Sequence, residues 1–310
     1  MIHQQNKPVL YVLDTGGKAL KSPFRSGRIL VCGSSGIGMK ALVENQPLPD
    51  SIGVSSTQQR LYWSNMGTPG MNDGSILSCT LGGCDITEVV PKGAVHTPKQ
   101  LTVDDNSGKL YFADREGLRI MRCNMDGSYI ETLVQTGDWQ NPEHRTDPMR
   151  WCVGITISSR TGKIFWSQKG KSRGSCGRIF CADMDPKAEA GNRREVTTLL
   201  QDLPEPIDLY FDDERIKLYW TDRGELPFGN SLNELSFQTS VSIIGNHAQH
   251  RILARNFHDP IGLAVDSMER CAYVADLGGS VYKCDLNDGG KERIYQDEDW
   301  ALSGIARCRL

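Results

Sequence analysis

Short stretches rich in apolar and β-branched residues recur along the whole chain, each bounded by turn residues, and one phrase returns six times. Its copies are Tyr11-Val12-Leu13-Asp14, Tyr62-Trp63-Ser64-Asn65, Tyr111-Phe112-Ala113-Asp114, Phe165-Trp166-Ser167-Gln168, Tyr219-Trp220-Thr221-Asp222 and Tyr273-Val274-Ala275-Asp276. The aromatic leaders are 51, 49, 54, 54 and 54 residues apart. A period of this size marks a repeat in which each unit is one small sheet that buries its faces only against its neighbours. Around each copy the same elements follow in order. An inner strand starts after a turn, as at Pro49-Asp50-Ser51-Ile52, Pro98-Lys99-Gln100-Leu101, Pro206-Ile207-Asp208-Leu209 and Pro260-Ile261-Gly262-Leu263. A polar turn leads to the aromatic strand. A third strand begins at an aliphatic residue (Ile76, Ile120, Ile179), and a tight turn such as Asp126-Gly127 or Asp288-Gly289 leads to the fourth.

The pattern therefore predicts an all-β chain: a six-bladed β-propeller with four antiparallel strands per blade. Six equal repeats leave no room for a second domain in 310 residues. The blades are expected at 9–46 plus 301–310, 47–93, 94–136, 150–202, 203–257 and 258–297, with an insertion at 136–151. The first repeat lacks an inner strand, whereas Leu302-Ser303-Gly304-Ile305-Ala306 is a spare one. The ring is thus expected to close by the C-terminal strand joining the N-terminal blade beside Val9 to Leu13, which removes two free sheet edges.

These spaced phrases resemble the YWTD repeat of the low-density lipoprotein receptor family, and blade 5 carries the full Tyr219-Trp220-Thr221-Asp222 tetrad. The resemblance covers nearly the whole chain and implies the same six-bladed propeller. Val12-Leu13, Asn65, Gln168 and Val274 depart from it, and the signal peptide and cysteine-rich modules of the receptors have no counterpart here.

Charge removes some function classes. Lys plus Arg number 35 against 38 for Asp plus Glu, so no broad positive field favours nucleic acid or an anionic membrane surface. Met1 to Pro8 is polar, and no apolar run of spanning length occurs; a cytoplasmic location is expected. Ten cysteines do not alter that expectation. Cys32, Cys79, Cys123 and Cys284 fall at one repeat position, too far apart for bridging and suited to burial. Cys79 with Cys84, and Cys176 with Cys181, leave a hairpin bridge open, but they lie on different blades and cannot share one metal ion.

Candidate chemistry lies where the repeats differ. Thr136 to Trp151 is a long aromatic and charged insertion on the face that carries the inter-blade loops. The loops Thr15–Gly27, Met66–Gly74, Lys169–Gly177 and Gly224–Ser231 are also long. Trp139, Trp151, Phe228 and Trp300 are candidate walls for an apolar ligand; His144, Arg150 and Lys169 are candidate donors to an oxygen. Anchoring of the insertion is the competing role for both tryptophans, and solvation for Lys169 and His144. At an inner-strand position read as glycine in four blades (Gly53, Gly154, Gly262, Gly304), blades 3 and 5 have Gln100 and Asp208. Asp208 beside Tyr210 is a candidate acid or base with a pKa raised by burial; a structural hydrogen bond is the alternative. The repeated Asp14, Asp114, Asp222 and Asp276 suit hydrogen bonding within the repeat better than one catalytic centre.

Several templates fail. Gly170-Lys171-Ser172-Arg173-Gly174 matches G-x-S-x-G but lies between strands, without the helix of a nucleophile elbow. Gly33 to Gly38 likewise precedes no helix that would receive a phosphate. No HExxH or EF-hand loop occurs, and no cofactor or metal is expected. In length, location and degenerate YWTD repeats the chain is similar to the fungal hetero-Diels-Alderases of tropolone sesquiterpenoid pathways. That resemblance implies a pericyclase that dehydrates a hydroxymethyl tropolone to a quinone methide and adds it across a humulene-type alkene. Its partners would be two small molecules, with Asp208 or His144 as the dehydration acid or base. The alternatives are a protein-binding propeller and a lactonase-type hydrolase.

Overall fold

The computed structural model describes residues 8–18, 24, 26–237 and 249–309. They form six four-stranded antiparallel sheets arranged as propeller blades. Blade 5 is typical: inner strand Pro206–Asp212, aromatic strand Lys217–Asp222, third strand Ser231–Ser236 and outer strand Gln249–Arg255. In blade 1 the innermost strand is Leu302–Arg309, paired with Pro8–Asp14 through partners such as Cys308↔Val9 and Ile305↔Val12. The ends of the chain thus close the ring as its pattern predicts. Helical structure among the described residues is confined to a turn of α-helix at Pro142–Arg145 and a 3₁₀ turn at Pro148–Arg150, both in the insertion.

The recurring phrase is the mortar between blades. Both faces of each aromatic strand are covered, so it reads as a continuous apolar run without alternation. The leading ring packs toward the following blade: Tyr62 against Leu101, Leu110 and Phe112, and Tyr219 against Leu263 and Val274. The next ring packs toward the preceding one, as Trp63 does against Tyr11 and Leu13, and Trp220 against Phe165. Trp63, Trp166 and Trp220 are at most 1% exposed. Removing one such ring costs about 3–5 kcal/mol.

The polar half of the phrase satisfies backbone. Thr221 Oγ1 accepts from Asp208 N (3.1 Å) and donates to Ile261 O of the next blade (2.8 Å); Ser167 joins Gly154 N to Ile207 O in the same way (2.8 and 2.7 Å). The closing carboxylate clamps the inter-blade link. Asp114 accepts from His96 N and Thr97 N, Asp222 from Glu205 N and Gly224 N, and Asp276 from His258 N and Ser280 N. These acids are occupied by the fold.

The inner-strand register corrects one sequence alignment. Pro49 pairs with Asn65 as Pro98 does with Asp114 and Pro206 with Asp222, and the inner strands of blades 2 to 6 carry an irregularity just after this point. The blade 2 equivalent of Gly154, Gly262 and Gly304 is therefore Ser51, two residues before Gly53. Glycine there lets the next inner strand approach: a Cβ on Gly154 would lie 1.9 Å from Ile207 O. Gly154→Ala is expected to cost about 3 kcal/mol or more, read as a lowered denaturant midpoint at unchanged m-value. An unchanged midpoint would show that the strands do not meet there. Ser51 and Asp208 use their side chains to accept from the next blade, from Leu101 N (3.0 Å) and Leu263 N (2.9 Å).

Candidate functional site

The first residues of the inner strands, the links between blades and the loops after the aromatic strands meet around one mouth of the propeller axis. A cavity of about 260 Å³ lies there, lined by residues of blades 1, 2, 3, 5 and 6. Its lining is mixed in chemistry. Leu48, Met66, Pro69, Ile261 and Leu277 are apolar, and Ile261 and Leu277 continue a patch with Val153 and Ile207. Among them stand the charged residues Asp50, Lys99, Arg115 and Arg223, and Lys99 Nζ lies 3.3 Å from Met66 Sδ.

The charged residues are tightly tied. Lys99 Nζ lies 2.5 Å from Asp50 Oδ1, and Gln100 Nε2 donates to Asp50 Oδ2 at 3.0 Å. Burial holds the Lys99 ammonium below its ordinary pKa, with Asp50 opposing. Gln100 is fully buried, and its Oε1 has no partner. Arg115 Nε donates to Glu116 Oε1 at 2.8 Å, while its guanidinium rests 5.1 Å from the Trp151 ring. Burial pushes the Glu116 carboxyl up, but the hydrogen bond and charge of Arg115 prevail and hold it below the usual carboxylate range. Across the rim, buried Glu205 accepts from Lys169 Nζ (3.1 Å) and Arg173 N (3.1 Å), and its Oε2 lies 3.6 Å from Arg223 Nε. Such a mouth can seat a largely apolar molecule beside cationic donors to one of its oxygens.

Asp208 and Tyr210 face a different space, a cavity of about 400 Å³ toward the other mouth. Both Asp208 oxygens accept backbone amides, Oδ1 from Leu209 N and Oδ2 from Leu263 N, each at 2.9 Å. Burial pushes its pKa up to about 8 despite those amides, and Asp50 raises it further. Burial also raises the Tyr210 phenol.

The remaining sequence candidates are dispersed. Trp139 meets buried His96 edge to face at 5.8 Å, and His144 Nδ1 accepts from Asp138 N at 3.2 Å. Trp151 Nε1 donates to Arg145 O at 2.7 Å. The insertion thus supports Arg115 from behind through Trp151, and none of its residues lines the axial cavity. Arg150 lines a separate lateral cavity. Trp300 sits at the seam of blades 1 and 6, with Arg28 4.5 Å from its ring, and Phe228 is 62% exposed on its loop. Of the loop Thr15–Gly27, residues 19–23 and 25 lie outside the described residues. All ten cysteines are free, so neither Cys79 with Cys84 nor Cys176 with Cys181 forms a bridge. Among the described residues no group of His, Cys, Asp and Glu is disposed to hold a metal ion, and no helix is long and apolar enough to cross a membrane.

No family model matches the chain. It is 41% identical over 294 residues to "Low-density lipoprotein receptor-related protein 1" of Pyricularia oryzae, an alignment covering 93% of this chain and 94% of that one. The chain belongs to the family of that fungal protein. It is also 46% identical over 306 residues to "3-hydroxyacyl-CoA dehydrogenase-like protein LAM1" of Cochliobolus heterostrophus. That match takes in 97% of this chain but 64% of the relative's own length. Among solved structures, a chain of the nidogen/laminin complex superposes with a TM-score of 0.73 over 98% of both chains at 18% identity, which places the fold.

Two signals for the axial mouth stand in the family's repeat. The residue after the tetrad is basic in blades 3, 4 and 5 (Arg115, Lys169, Arg223), and the second inner-strand residue is charged in blades 2 and 3 (Asp50, Lys99) where blades 4, 5 and 6 have Val153, Ile207 and Ile261. Sequence reasoning singled out only Lys169 among these.

Proposed function

We propose that this chain is a small-molecule enzyme whose axial mouth holds apolar reactants together with a carbonyl oxygen turned to its cationic donors, and that its reaction is an intermolecular hetero-Diels–Alder cycloaddition. The observation that carries the reading is that one cavity brings apolar side chains, Ile261, Leu277 and Leu48, together with the cationic donors Lys99 and Arg115. A quinone methide placed with its oxygen toward Arg115 becomes a better electrophile, and holding the alkene in register supplies several kcal/mol of the barrier. A cavity of about 260 Å³ takes the tropolone-derived ring, and the humulene-type alkene lies across the mouth between the long loops. Both named relatives are fungal, which agrees with this chemistry. Asp208, which takes the place of the inner-strand glycine in blade 5 and faces the other cavity, serves the inner strands in this reading, and dehydration falls to groups at the mouth.

Purified protein mixed with the hydroxymethyl tropolone and humulene-type precursors is expected to give one stereoisomer faster than buffer, followed by chiral chromatography. Arg115→Gln is expected to slow that formation about 100-fold, the usual effect of losing one oxyanion donor. A racemic adduct at the buffer rate would remove the enzyme reading. A second reading, a protein-binding face, is favoured by Phe228, Leu226 and Met71, which are 57–62% exposed on the loops around the same mouth. Arg115→Gln and a triple serine variant of these three separate the two: a protein-binding face survives the first and loses its partner with the second.

A further inference from the structure

Blade 4 departs from its siblings at one cross-strand pair, and the departure strands a positive charge. In three blades the residue facing the end of the aromatic strand is arginine: Arg28 opposite Asp14, Arg119 opposite Asp114 and Arg178 opposite Gln168. The first two pairs are ionic, with Arg28 NH2 2.6 Å and Arg119 Nε 3.0 Å from a carboxylate oxygen. In blade 4 the acid is replaced by a neutral amide, and no carboxylate of the described residues pairs with Arg178. Its NH2 donates only to neutral acceptors, Met149 O (2.6 Å) and Gln168 Oε1 (2.7 Å), and its Nε is buried without a partner. A half-buried guanidinium without a counter-ion is costly, and blades 1 and 3 show the remedy, an aspartate in the place of Gln168.

Arg178 lines a lateral cavity of about 440 Å³ between blades 3 and 4, walled on one side by the insertion. Trp166 lines it too; the residue is 1% exposed, and its buried Nε1 has no acceptor. Its ring stacks on Phe180 at 5.3 Å, and the Arg178 guanidinium lies 5.2 Å from the same ring. The other two arginines of the wall are already answered, Arg150 by Asp147 (3.4 Å) and Arg193 by Glu195 (2.6 Å). Val134 and Val196 supply apolar surface.

We propose that this cavity is a binding site for a small organic monocarboxylate, with the carboxylate on Arg178 and the indole N–H of Trp166 and the apolar body against Val134, Val196 and Phe180. Both Nη2 hydrogens are already donated, so the carboxylate is received by Nη1; one unanswered charge matches a monoanion, and the volume falls within the range of small-ligand sites. The site is distinct from the axial mouth and does not depend on the cycloaddition.

The full chain is titrated calorimetrically with 3-phenylpropionate, its neutral amide and inorganic phosphate, with tryptophan fluorescence as a second readout. The carboxylate is expected to saturate with a Kd on the order of 0.1–1 mM, at least about tenfold tighter than either comparator. Gln168→Asp restores the pairing of blades 1 and 3, so it is expected to fold normally and lose binding at least about tenfold. Arg178→Gln supplies the same test should that variant not fold. Equal binding of acid and amide, phosphate binding as tight as the carboxylate, unchanged binding in the variants, or no saturation up to about 10 mM would overturn the proposal.

Discussion

A chain that stops at Leu302 is expected to yield no soluble folded protein. The deleted strand is the innermost of blade 1, and Ser303, Ile305, Ala306 and Cys308 within it are all under 9% exposed. Its loss bares the Val9 to Asp14 edge, breaks Ser303 Oγ to Pro49 O (3.0 Å) and leaves Leu10 and Val12 without part of their cover. Each blade packs only on its two neighbours, so an open ring has no other way to bury the exposed faces. The deficit is of the order of the whole net stability, roughly 5–15 kcal/mol. Gel filtration and circular dichroism of the truncated chain test this, with a peptide spanning 301–310 added in trans as the rescue. A monomeric truncated chain with a cooperative melt would mean that the closure is dispensable.

Stability is expected to fall as pH rises from about 4 to 8, with Asp208 as the largest single contributor. Its folded pKa, pushed up to about 8 by burial, lies above the ordinary carboxylate value of 3.8. Below that value both folded and unfolded chains carry the proton and Asp208 costs nothing. Between the two values the unfolded chain ionises while the native chain does not, and the difference grows to several kcal/mol before levelling above 8. Burial likewise raises Asp222, to about 7, and Asp276, so part of the slope belongs to them. Asp208→Asn removes the largest share. The variant gives up one amide acceptor, about 1–3 kcal/mol, and is expected to be no more stable than the parent at pH 5 but more stable at pH 8.5. Melting curves across that range decide it: parallel profiles for the two proteins would show that Asp208 ionises freely.

The fold was legible because the six copies repeat one energetic requirement, a strand apolar on both faces and closed by a backbone-binding acid, so that errors in any one copy average out. Closure was legible for the same reason, since one copy lacked an element and the other end of the chain had it to spare. The slip at Gly53 has a physical cause. Blade 2 has serine at the close approach, and an offset of two residues keeps a strand side chain on the same face, so Gly53 and Ser51 satisfy the same pattern. The site was less legible. Trp139, Trp151 and His144 stand out by composition but serve the insertion's own packing, whereas Asp50, Lys99 and Arg115 sit at positions that look ordinary until the blades are registered on their pairing partners. Charge set against an apolar equivalent in the neighbouring blades was the signal, and it requires the bulged register to be seen.

Pro8 and Arg309 are register partners, at the ends of the two strands farthest from the loops that form the axial mouth. Any polypeptide joined to either end must therefore depart from a single doorstep on the reverse side. Fusion tags and surface tethers placed at either end would leave that mouth pointing outward, an orientation well suited to immobilised assays of whatever it binds.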